Sequence, residues 1–115
     1  MPRLANNQVR DAVNERRAFM TNNQTLYSSS NWREDGSLYI VYSYGTHYPM
    51  YVYDNIARQW FGNETRSTPT TERHKTHARP DGDIRWASTD YLRAMILAGS
   101  YVNHTAQRVL RERAA

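Results

Sequence analysis

Apolar residues recur at helical spacing at Ala5, Val9, Ala12, Val13 and Met20, so the spacing predicts a helix over about Leu4 to Phe19, with Pro2 near its start where a missing N–H does no harm. The pattern then breaks. Thr21 to Ser30 is polar around Leu26 and Tyr27, which suggests a loop with a short strand inside it. Glu34-Asp35-Gly36-Ser37 supplies a hairpin turn, because Asp-Gly adopts the positive φ angles of tight reverse turns. Leu38 to Tyr44 follows, built of β-branched and aromatic residues and closed by Gly45, and it reads as a strand. Tyr48 to Tyr53 is again strand-like, with Pro49 near its beginning where a lost ladder donor is tolerated. Asp54-Asn55 turns the chain toward a further strand at Arg58 to Phe61, ending at Gly62-Asn63.

Strand alternation puts Leu38, Ile40, Tyr42 and Tyr44 on one face beside Tyr48, Met50 and Val52, and turns Tyr39, Val41, Tyr51 and Tyr53 to the other. Neither face is polar, so helices must cover both, or one face stays open to a partner; coverage is the expectation for a chain of this length. Glu64 to Arg85 is polar and reads as a long, mobile connection carrying one short helix, begun by Thr68-Pro69 and ended by Pro80-Asp81-Gly82. The last segment repeats apolar residues at Leu92, Met95, Ile96, Gly99, Val102, Ala106, Val109 and Leu110. This predicts a helix from about Thr89 to Arg113, capped by Ser88, with Gly99-Ser100 as its bend. So long a stripe invites a second copy to pack against it as a homodimer. The expected fold is α+β: an antiparallel β-meander of three to four strands flanked by an N-terminal helix and a long C-terminal helix.

The 115 residues fit one domain. With 39% hydrophobic residues and a mean hydropathy of -0.88, the core must be economical and the surface very polar. No apolar run approaches the roughly 20 residues that cross a bilayer and no signal sequence opens the chain, so residence in the cytosol, without membrane contact, is expected. The absence of Cys excludes disulfides and thiolate chemistry. A net charge of +4, with Lys75 the only lysine among 15 basic residues, places the positive charge on guanidinium groups suited to phosphate or carboxylate. An Arg-favouring codon usage is the plainer explanation of that bias.

Arg3, Arg10 and Arg17, spaced seven apart, form a stripe on the first predicted helix that suits a phosphate backbone, as it also suits plain solvation. Arg66, Arg73 and Lys75 make a positive loop after an aromatic sheet, an arrangement in which cations neutralise phosphates while rings stack on bases. Arg79 is the weaker choice there, because Asp81 and Asp83 lie close to it. His74 and His77 are at helical spacing for a shared metal, but two ligands are not a site, and no metal is expected. Ser43 or Ser67 with His47 or His74 gives the residue types for nucleophilic catalysis without a nucleophile elbow, so catalysis is not expected. No phosphate-binding loop or dinucleotide fingerprint implies a cofactor.

The string Leu38-Tyr-Ile-Val-Tyr-Ser-Tyr-Gly-Thr-His-Tyr-Pro-Met50, followed by Tyr53-Asp54, Trp60, Asn63-Glu64, Ser67 and Thr70 to His74, resembles an uncharacterised domain found in small proteins of bacteriophages and prophages. The match spans about Phe19 to Pro80, with Tyr-Gly-Thr-His-Tyr-Pro its most specific part. The resemblance implies a phage origin and transfers no activity. A small basic accessory protein in the infected cell is then expected, with nucleic acid as first partner. The alternative is a host or phage protein, bound and modulated through the aromatic sheet or the C-terminal helix.

Overall fold

The computed structural model describes residues 3–30 and 38–99. Seven strands lie in one sheet in chain order: β1 (Arg3–Leu4), β2 (Met20–Thr21), β3 (Leu26–Ser30), β4 (Leu38–Ser43), β5 (Pro49–Asp54), β6 (Gln59–Asn63) and β7 (Ile84–Ala87). From β2 to β6 neighbours are antiparallel, while β1 and β2, and β6 and β7, run parallel. Parallel neighbours require a crossover. Helix α1 (Val9–Asn14), entered through a 3-10 turn at Asn6–Gln8, links β1 to β2, and α2 (Pro69–Ala78) links β6 to β7; α3 (Thr89–Ala98) follows β7. The class is α+β, but the sheet is mixed and seven-stranded, not a meander of three to four strands. No described helix is long and apolar enough to cross a membrane.

The sheet is covered on both sides. Val9, Ala12 and Val13 of α1 and Ala78 of α2 pack with Tyr39, Val41, Tyr51 and Trp60 on one face. Leu92 and Met95 of α3 pack with Leu38, Ile40, Tyr42, Val52 and Phe61 on the other. The central strands β4 and β5 are mostly buried on both faces, while Trp86 on the edge strand β7 stays 44% exposed. The buried phenols keep their protons on carbonyls that tie other segments to the sheet: Tyr39 donates to the Arg17 carbonyl at 2.6 Å and Tyr51 to the Lys75 carbonyl at 2.8 Å. Burial pushes both phenol pKa values up to about 12.

Tyr48 and Met50 depart from the expected alternation and join the α1/α2 side. Val41 pairs with Tyr51 but Tyr42 pairs with Pro49, so Met50 is an extra residue in β5. Such a bulge resets the two-residue period, and Met50 and Tyr51 then point the same way. Tyr44 lies beyond the end of β4 in the left-handed region, at φ 64°.

The first helix is far shorter than the expected Leu4 to Phe19. Arg16 adopts φ 54°, its amide bonds the Val13 carbonyl at 3.0 Å, and the Arg17 amide bonds that of Ala12 at 2.8 Å. This pair of bonds is a helix-ending motif normally built on glycine. Arg16 takes the glycine's place, with its guanidinium 4.4 Å from the Tyr53 ring centroid. The other two helices begin as expected: Thr68 caps α2 by accepting from the Thr71 amide with Pro69 in the first turn, and Ser88 caps α3 by accepting from the Tyr91 amide. α3 stops at Ala98, where Gly99 at φ 92° bonds back to Met95 and Ile96, at the position expected to bend the helix. The expected Glu34 to Ser37 turn, and the part of the expected helix and homodimer surface beyond Gly99, lie outside the described residues.

Candidate nucleic-acid interface

α2 is a polar helix whose inward positions, Thr71, His74 and Ala78, recur at the spacing of one helix face. The segment expected to be a mobile connection is therefore fastened to the sheet. Ser43, 2% exposed at the end of β4, shares its hydroxyl with His74 Nδ1 at 2.8 Å and Thr71 Oγ1 at 3.0 Å. Tyr44 lies against the imidazole with ring centroids 5.8 Å apart. Burial, then the His77 and Arg73 charges, pull the His74 pKa below its ordinary value, so the ring is neutral at neutral pH. Of the serine–histidine pairings in the sequence, Ser43 is hydrogen-bonded to His74, and Ser43, His47 and Ser67 also line one open pocket of about 420 Å³. The Ser43 hydroxyl makes two hydrogen bonds to α2, and this contact fastens the helix to the end of β4. His77, in contrast, is exposed, and among the described residues no group of three metal-ligating side chains converges.

The six cations singled out in the sequence are not one surface. Arg10 is on α1, but Arg3 is on the edge strand β1 and Arg17 lies beyond the end of α1, so the expected helical stripe does not form. Arg17 pairs with Glu15. Lys75 is already engaged: its ammonium is 2.9 Å from Glu72, donates to the Thr65 carbonyl at 3.1 Å and sits 5.5 Å from the Tyr48 ring centroid. Burial alone lowers the Lys75 pKa, but the bonds to Tyr48 and Glu72 outweigh it and leave it raised, while the Lys75 contact holds Glu72 below the usual carboxylate range. Arg66 is exposed before α2, and Arg73 is exposed on α2 with Nη2 3.5 Å from Thr70 Oγ1.

Two residues complete a different arrangement. Arg10 donates from Nε to the Arg79 carbonyl at 2.9 Å, which brings α1 against the end of α2. Both arginines border an open cleft of about 670 Å³, with Tyr51, Glu64, Lys75 and Trp86 also on its walls. Trp86, on the edge strand β7, is 44% exposed, and the Arg79 guanidinium lies 5.5 Å from its ring centroid. The proximity of Asp81 does not remove Arg79, because Asp81 is taken up by Asn14: its carboxylate accepts from the Asn14 amide at 3.0 Å and its own N–H donates to Asn14 at 2.8 Å. A tryptophan amid arginines was the available signal, hidden because the expected connection ran to Arg85 and no strand was expected at Ile84–Ala87. No family model matches this chain, and no curated protein or solved structure matches it either.

Proposed function

We propose that this protein binds nucleic acid, neutralising phosphates with guanidinium groups on the α1/α2 side of the sheet. The observation that carries this is the convergence of Arg10 and Arg79, from distant parts of the sequence, on one open cleft. Guanidinium forks match phosphate oxygens in geometry and stay charged at every physiological pH. Arg66, just before α2, and Arg73, on it, are further exposed cations outside the cleft lining, while Lys75 on the cleft wall is held by Glu72 and Arg3 and Arg17 stand apart. A net charge of +4 adds long-range attraction for a polyanion. Together with the resemblance to small phage proteins, this supports an accessory role inside an infected cell.

The alternative, a protein partner, is favoured by one observation: Leu97 on α3 is 82% exposed. Salt separates the two. Oligonucleotide affinity measured by fluorescence anisotropy should fall steeply as salt rises, and Arg10→Ala with Arg79→Ala should lower the slope of log affinity against log salt by about two. Affinity indifferent to salt would falsify phosphate binding and turn attention to Leu97.

A further inference from the structure

Building on the nucleic-acid proposal, we infer that Trp86 is a nucleobase platform and that the natural ligand is single-stranded. The indole is held from behind. Gly62 on β6 lies directly under it, so close that a Cβ there would stand 2.6 Å from Cζ3 and 2.7 Å from Cε3 of Trp86. Tyr51 meets it edge-on with centroids 6.3 Å apart. The absence of a side chain at Gly62 lets the ring seat against the sheet with its position fixed, and a planar group so fixed needs little ordering on binding. Its exposed part opens on the cleft that Arg10 and Arg79 border.

An aromatic surface flanked by guanidinium groups fits a nucleotide in two parts, the base on the ring and the phosphate on the cations. In a duplex the base faces are stacked inside the helix and only the phosphates are offered, so a duplex engages the arginines but not Trp86. Arg79, now over the indole, is the group that exchanges a ring contact for a phosphate contact when a base arrives. Glu64 also lines the cleft and repels phosphate. A continuous double rail of phosphates must pass it, whereas a single strand can direct the amino edge of a base toward it.

The test uses labelled single-stranded and duplex oligonucleotides of equal length, with heparin as a polyanion that has no bases, in low salt. The wild-type protein should bind the single strand at least about tenfold more tightly than the duplex, and Trp86→Ala should weaken the single strand by about tenfold while leaving duplex and heparin unchanged. Trp86→Phe should keep most of the affinity. Single-strand binding should also quench an indole emission that is missing from Trp86→Phe, a measurement that does not depend on the alanine variant folding. Equal affinity for single strand and duplex, or no quenching attributable to Trp86, overturns the platform and leaves phosphate binding standing. Failure of all three polyanions to bind overturns both.

Discussion

The two flanks of α2 handle polar side chains in opposite ways. Toward β4, Ser43, Thr71 and His74 are buried and bonded to one another. Toward β7, Arg10, Arg79 and Trp86 stand around open space. A buried hydroxyl or imidazole must find its partner within the fold, because leaving one unpaired costs about 1–3 kcal/mol. A guanidinium at the surface carries no such demand and remains free to take a ligand. The difference teaches that here the buried serine and histidine are spent on packing α2 against β4, whereas the exposed guanidinium groups are the ones the proposed binding draws on.

The sharpest way to break that comparison is His74→Ala, which leaves a cavity and removes one of the two partners of the Ser43 hydroxyl. It should cost about 3 kcal/mol in urea unfolding while the folded fraction binds oligonucleotides as before. Lost binding at full stability would reverse the assignment. Gly62→Ala should cost about 2 kcal/mol, because the new methyl displaces Trp86 and Ile84, and unlike the histidine change it should also weaken single-strand binding.

Acidification just below neutrality should act on the Ser43–His74 clamp, before the Glu72–Lys75 pair is touched at lower pH. The folded His74 pKa is depressed, so the unfolded chain takes up the proton first; the stabilisation is whole above the unfolded value of about 6.5 and is lost as pH falls through the folded one. Thermal unfolding should show midpoints dropping below that pH, and His74→Gln should flatten the drop. A curve unchanged by His74→Gln would place the titration elsewhere. The smallest effects distinguish two cations of α2. Arg73→Ala should change stability by less than about 0.5 kcal/mol yet lower the salt slope by about one, whereas Lys75→Ala should cost about 1 kcal/mol and barely move the slope.

Much of this arrangement is legible in the residues. Strands β4, β5 and β6 announce themselves by aromatic and β-branched runs between turns, and the starts of α2 and α3 by Thr68-Pro69 and Ser88. Those signals are local. The parts that stay hidden depend on distant neighbours: β1 and β2 have two residues each and exist only because α1 brings them side by side, and Ile84–Ala87 becomes a strand only against β6. Arg16 ends α1 without the glycine that marks such an end in a sequence. For the site, the residue types pointed to arginine, but which arginines share a surface depended on the contact between Arg10 and Arg79, 69 positions apart.

The mixed order of the sheet also bears on how the chain assembles. Pairings from β3 to β6 join successive strands, whereas each parallel margin must wait for a helix to bridge it. Closing larger loops comes late in folding, since chain entropy is given up before contacts reward it. The cleft beside β7 therefore belongs to the last region to assemble, after the centre is already built.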